Sequence, residues 1–240
     1  MLPGMLLLLS SCTVPFTVLD SRLSPAGTGH IVLSFDDGPN AQDNVSARLL
    51  DVLGKHRVPA VFFFLGSRAA AHPEMIARAI RDGHQVGGHG YRREWPYFFS
   101  AAKLREEVAR TREAIEQAGN VVLPEPLLYR PPRGVVTPAV RALASECEVQ
   151  LAHLTFYARD SGASTDSSAE VMQAIRDGIS KYNGGAIVLH SSRYRSAPPE
   201  DNVIDKSWLP DAVEALILWA RSEGFAFTHY TQREGTTCPG

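Results

Sequence analysis

Three cysteines in 240 residues, at positions 12, 147 and 238, leave no disulfide framework to hold a small fold together. No apolar run reaches the roughly twenty residues that a membrane-spanning helix needs. Charge of one sign is missing as well. With 24 basic and 26 acidic side chains the formal net charge is −2, so there is no electrostatic case for a nucleic-acid partner. No internal repeat is present, and no low-complexity linker interrupts the chain past residue 28, so it reads as one domain. A hydrophobic fraction of 44% suffices to bury one sizeable core, and single α/β barrels commonly reach this length.

The N-terminus lacks a Lys or Arg ahead of its apolar stretch, unlike a standard secretory signal. The segment Met5-Leu6-Leu7-Leu8-Leu9-Ser10-Ser11-Cys12 nevertheless resembles a bacterial lipoprotein signal, with Leu9-Ser10-Ser11-Cys12 as the lipobox. The resemblance implies cleavage before Cys12, a lipid on its thiol, and a membrane anchor facing the periplasm or the outer side of a bacterial envelope. An ordinary hydrophobic leader is the alternative. Residues 1–12 then form the signal segment, 13–28 a tether, 29–232 the folded domain and 233–240 a tail. Cys147 falls in an apolar-periodic segment and is expected in the core, while Cys238 lies in a Gly/Thr/Pro tail.

From residue 30 the pattern alternates strand and helix. Strands are expected over 31–35, 60–65, 126–129, 149–157, 186–190 and 225–228, with residues 84–86 leading into a Gly-Gly-His turn. Helices are expected over 45–55, 73–81, 101–118, 138–146, 169–182 and 209–221. The longest carries Leu104, Val108, Thr111 and Ile115 along one side. Such alternation predicts a parallel sheet with crossover helices. Asp36, Asp37, His89, Arg130, Asp160 and His190 all fall at or just after predicted strand ends, the face on which parallel α/β barrels keep their active sites.

The most informative segment is Ile31-Val32-Leu33-Ser34-Phe35-Asp36-Asp37-Gly38-Pro39, a buried-strand pattern that runs straight into two carboxylates and a turn. Adjacent carboxylates cost repulsion and desolvation unless a cation sits beside them. A metal ion is the commonest such partner, and it lets one acid ligate while the other takes a proton.

Phe35-Asp36-Asp37-Gly38-Pro39, Gly88-His89, Arg130-Pro131-Pro132, Asp160 and Leu189-His190 occur in an order and approximate spacing that resembles the polysaccharide deacetylase family, the NodB-homology domain. Phe62-Phe63-Phe64-Leu65-Gly66 and Gly83-His84-Gln85-Val86-Gly87 support the match, which covers roughly residues 29 to 230. The resemblance implies a single distorted (β/α) barrel that hydrolyses N- or O-acetyl groups on glycans with a divalent metal, usually zinc. It implies Asp36 as the general base, Asp37 and His89 as metal ligands, and Arg130 as the group orienting the base. His190 is implied as the acid that protonates the leaving amine, with Asp160 fixing its tautomer and raising its proton affinity. Pro131, Pro132, Arg133 and Gly134 would form a wall of the substrate groove, and Leu189 would line the pocket for the acetyl methyl. An acetylated glycan is the implied partner. Taken singly, His89 also reads as a hydrogen-bonded loop histidine, His190 as a core residue, Arg130 as a loop brace and Asp160 as a turn cap.

The pattern departs from the family at several positions. The second metal-binding motif ends in Arg93 where a histidine is usual, and a guanidinium cannot coordinate a metal. Gly90, Ser161, Ser191 and Arg133 replace a hydroxyl residue, a Trp, an acid and an aromatic. Three outcomes follow: a metal held by Asp37 and His89 with waters, a third ligand from Glu94 or His84, or Arg93 itself beside Asp37 at the metal position. Arg93 could also point to solvent. The function read here is therefore removal of N-acetyl or another acyl group, a formyl included, from an envelope amino-sugar polymer or glycolipid. The rival is a non-catalytic carbohydrate-binding lipoprotein on the same barrel. Trp95, Tyr97, Phe98 and Tyr194 could stack on sugar rings or seal a core edge.

Overall fold

The computed structural model describes residues 28–41, 44–94, 98–146, 148–192 and 204–230, together with the backbone of Thr17–Val18. In chain order the strands are β1 (Thr17–Val18), β2 (His30–Asp36), β3 (Val61–Phe64), β4 (Gln85–Gly88), β5 (Leu127–Tyr129), β6 (Val135–Val136), β7 (Val149–Leu151), β8 (Gly184–His190) and β9 (Ala226–Phe227). The helices are α1 (Val45–His56), α2 (Gly66–Ala71), α3 (Pro73–Arg81), α4 (Ala101–Gly119), α5 (Pro138–Ser145), α6 (Ser168–Tyr182) and α7 (Leu209–Ser222). Cys12, Cys147, Cys238, Trp95, Tyr97 and Tyr194 lie outside the described residues. Within the stretch read as a tether, β1 pairs antiparallel with β6.

The main sheet is parallel throughout, in the order β7-β5-β4-β3-β2-β8, and β9 pairs with the start of β2. Side chains along β2 alternate between two cores, as a strand buried on both faces requires. Ile31, Leu33 and Phe35 join the large cluster under the helices, with Leu49, Leu53, Ile115, Leu189 and Ile217. Val32 joins a small interior cluster with Val61, Phe63, Leu128, Ala152, Ala186 and Tyr230. The expected face of α4 (Leu104, Val108, Thr111 and Ile115) is buried.

The barrel is distorted in two places. At the start of β2 its neighbour across from β8 is β9, whereas further along it is β3. The second distortion corrects the strand expected over 149–157, which stops at Leu151. The hydroxyl of Tyr230 takes the backbone of His153: it accepts from the His153 N–H and donates to the His153 carbonyl at 3.2 Å. The chain then returns to close on β8 through a parallel bridge between Phe156 and Ile187, with the Thr155 N–H donating to the Ala186 carbonyl at 2.8 Å. Closure at this point needs glycine. Gly185 has φ 122°, and a Cβ there would stand 2.5 Å from Thr155 Oγ1.

Candidate active site

Each element delivers its polar residue at the C-terminal end of a strand. Asp36 ends β2, His89 follows β4, Arg130 follows β5 and His190 ends β8, directly opposite Asp36 in the β2–β8 register. Asp160 reaches the same place from a single 3-10 turn, Asp160–Gly162, after the chain has closed on β8. The six expected polar residues therefore lie on one face of one barrel.

Asp36 and Arg130 form the deepest pair. Arg130, only 1% exposed, donates from Nη1 to Asp36 Oδ1 at 2.7 Å and to Ser34 Oγ at 2.8 Å. Its guanidinium carbon sits 4.1 Å above the centre of the Phe63 ring, so a barrel aromatic carries the cation from below. Ser34 is a partner that pattern reading missed. It lies two residues before Asp36 on the same face of β2, and strand alternation was the available signal.

His89 Nδ1 donates to the Arg130 carbonyl at 2.7 Å, which commits that nitrogen and turns Nε2 toward the carboxylates. Nε2 stands 3.4 Å from Asp37 Oδ1 and 3.9 Å from Asp36 Oδ2. Asp37 is fully buried in the left-handed region at φ 68°, a conformation uncommon outside glycine. Burial alone would lift its carboxyl. The hydrogen bond and charge of His89, then the charges of Arg93 and His190, outweigh burial and hold it well below the usual carboxylate range.

Arg93 lies beside Asp37, the third of the outcomes left open by the sequence, and does not point to solvent. Its Nε donates to Asp37 Oδ1 at 3.2 Å and lies 3.0 Å from Oδ2, with the side chain 13% exposed. The alternatives for a third ligand fail on position. Glu94 is exposed. His84 precedes β4, at the opposite end of that strand from His89, and packs edge-on against Phe62 at 5.4 Å. Both its ring nitrogens lack a hydrogen-bond partner among the described residues, and burial pushes it down to about 4, so it is neutral. Among the described residues no three His, Cys, Asp or Glu side chains gather in a metal-holding group. Asp37 and His89 supply two suitable donors, but the group beside them is a cation. The residues present do not fit the expected zinc held in a three-ligand cage.

His190 and Asp160 form the second pair. Asp160, fully buried, accepts from His190 Nδ1 at 2.9 Å and from the His190 backbone N–H at 2.5 Å. Burial would depress the imidazole, but the charge and hydrogen bond of Asp160, then the charges of Asp37 and Asp36, raise its proton affinity. Lys206, 1% exposed, holds the turn from behind by donating to the carbonyls of Asp160 at 2.7 Å and Ala163 at 3.3 Å. Nothing in the local pattern around Lys206 signalled this role, because the contact spans more than forty residues.

The substituted positions find partners. Ser191 donates from both its N–H and its hydroxyl to the Asp36 carbonyl, each at 3.1 Å, tying the ends of β2 and β8 together. Ser161 accepts from the Tyr157 hydroxyl at 2.6 Å, which brings the Tyr157 ring to 6.0 Å from His190. An aromatic thus stands beside the histidine although position 161 has none. Pro131 and Pro132 are buried and Arg133 is exposed. A Cβ at Gly90 would stand 3.0 Å from Pro132 Cγ, so this loop packs directly on the turn after His89. Leu189 pairs with Phe35 and is fully buried in the large cluster. Val188 shares the face of His190. Phe98 is 88% exposed.

Residues 24–152 match the family model described as polysaccharide deacetylase. A chitooligosaccharide deacetylase of Bradyrhizobium is 35% identical over 193 residues, covering 80% of this chain and 83% of that protein. A peptidoglycan-N-acetylglucosamine deacetylase of Bacillus cereus is 30% identical over 120 residues, half of this chain and 54% of that protein. Two solved structures share the fold, each with a TM-score of 0.67. One is a family 4 acetyl xylan esterase from Clostridium thermocellum in complex with a cobalt ion, 24% identical over 83% of this chain and 87% of that one. The other is a CE4 family pseudoenzyme from Bacillus anthracis, 19% identical over 86% of this chain and 68% of that one.

Proposed function

The chain belongs to the polysaccharide deacetylase family, and from that premise we propose that it hydrolyses the N-acetyl group of an amino-sugar oligomer of chitooligosaccharide or peptidoglycan type. The single observation that carries this reading is the pairing of Asp36 and His190 across adjacent strand ends, each backed by its own buried counter-group, Arg130 and Asp160. Amide hydrolysis needs an activated water, a cation or donor for the developing oxyanion, and a proton for the nitrogen. Asp36, held by Arg130, takes the proton of the attacking water. His190 has Nδ1 committed to Asp160, which leaves Nε2 to protonate the departing amine.

A divalent metal, such as the cobalt in the structural neighbour, would here meet Asp37 and His89, and would polarise the acyl oxygen when bound. Two donors beside a guanidinium do not make a resident site. The exposed rings of Phe98 and Tyr157 are the described surfaces on which sugar rings would stack. Lipid attachment at Cys12 would hold the enzyme at the cell envelope, where a peptidoglycan-type substrate is found.

A second reading is favoured by one observation, the contact of Arg93 with Asp37. It gives a catalytically silent barrel that binds glycan, and the pseudoenzyme among the structural neighbours has the same fold. Acetate release from N-acetylated chitooligosaccharides, followed alongside glycan binding, separates the two. Turnover that disappears in Asp36→Asn while binding persists supports the hydrolase. Binding without turnover in both proteins supports the silent barrel.

A further inference from the structure

The cation of this site is the point at which the chain departs from the motif it resembles, and the inference rests on the hydrolase reading above. Asp37 is fully buried, and a carboxylate taken out of water needs a positive or donating partner. Asp36 already has Arg130, whose Nη1 is engaged with Asp36 and Ser34. Asp37 has His89 Nε2 3.4 Å from Oδ1 and Arg93 Nε 3.0 Å from Oδ2, and of these two Arg93 is the permanent cation. The remaining guanidinium N–H donors of Arg93 make no hydrogen bond to any described residue. A guanidinium keeps its proton throughout the working range of pH and carries five donors in a planar fork. A cation is therefore built into the chain beside the metal-donor pair, with donors to spare on the same planar group.

We propose that Arg93 is a catalytic residue that replaces the divalent metal, neutralising Asp37 and giving its free N–H donors to the acyl oxygen, so that the site works without a metal. Water oxygen bonds to the carbonyl carbon while Asp36 accepts one water proton. The carbonyl π pair moves onto oxygen, where the Arg93 N–H groups hold the oxyanion. As the tetrahedral centre collapses, the C–N bond breaks and its electron pair takes a proton from His190. The products are acetic acid, which passes its proton to the amine or to solvent and leaves as acetate, and the amino sugar, and proton transfer from Asp36 to His190 restores the site. Because a guanidinium is a weaker electrophile than a dication, the site suits an activated or well-positioned amide, and turnover below that of metal-loaded relatives is expected.

The test uses the full chain with two readouts, calorimetric zinc titration and acetate release from N-acetylated chitooligosaccharides with and without a chelator. For the wild type, no zinc uptake at micromolar concentration and chelator-insensitive turnover are expected. Arg93→Met should lose about 10²–10³-fold in kcat with KM little changed, the loss typical of a removed oxyanion donor. Arg93→Lys, which keeps the charge but not the fork, should fall between. Wild-type turnover abolished by chelator and restored by zinc would overturn the role of Arg93 and leave the hydrolase reading standing. An inactive wild type, with zinc binding and turnover gained in Arg93→His, would overturn both, because Arg93 would then be the group that silences the site. An inactive wild type and an inactive Arg93→His would likewise remove the basis of both.

Discussion

Replacing Asp160 with Asn keeps the size of the side chain and removes its charge from beneath His190. In the wild type, burial opposes protonation of the imidazole, and Asp160 supplies the leading contribution that reverses this, through its charge and the 2.9 Å hydrogen bond. The asparagine oxygen can still accept the His190 backbone N–H, so the turn is expected to survive. With the carboxylate gone, burial dominates and the histidine becomes a poor proton carrier near neutral pH. General acid catalysis contributes about 10²–10⁴-fold, and most of that factor should be lost from kcat at pH 7. KM should hold, because Asp160 is fully buried and meets no substrate. The assay is kcat against pH, in which the alkaline limb reports loss of the acid. In Asp160→Asn this limb should move to lower pH. Stability supplies a second readout with a definite sign. A folded-state proton affinity raised above the unfolded value stabilises the wild type fully below about pH 6.5, and the gain disappears as pH rises through the folded-state titration. The stability gap between wild type and Asp160→Asn should therefore be wider at pH 5.5 than at pH 9. An unchanged alkaline limb together with a pH-independent gap would refute the assignment of His190 as an acid sustained by Asp160.

Arg130→Met should destabilise the fold by about 3–5 kcal/mol in chemical denaturation, because it leaves the buried Asp36 carboxylate without its partner. Lys206→Met should cost about 1–3 kcal/mol by leaving the Asp160 and Ala163 carbonyls short of a donor. It should also lower kcat with KM unchanged, since the turn carrying Asp160 loosens; thermal unfolding and steady-state kinetics read the two effects. Tyr157→Ala should raise KM for oligomers about tenfold, equivalent to about 1.4 kcal/mol, while changing stability by less than about 0.5 kcal/mol. An unchanged KM would remove Tyr157 from the substrate surface.

Much of the fold was legible along the chain because its determinants are local. Hydrophobic periodicity marked β2, α1, α4 and α7 to within about a residue or two, and the strand–helix alternation predicted a parallel sheet with all its polar ends on one face. The family resemblance rested on short motifs whose order survives translation into space, so Asp36, Arg130, Asp160 and His190 do meet in two backed pairs. The long-range features were not legible. The expected strand over 149–157 broke because Tyr230, more than seventy residues later, claims the backbone of His153. Lys206 supports the site through contacts that no sequence window contains.

Residue types alone determined that position 93 carries a permanent cation and no metal donor, since that follows from the chemistry of a guanidinium. Whether that cation faced solvent or met Asp37 was decided only by the tertiary structure. The turn after His89 packs on Pro132 and carries Arg93 back to a carboxylate 56 residues earlier in the chain, because a fully buried charge must find its partner wherever the fold brings one.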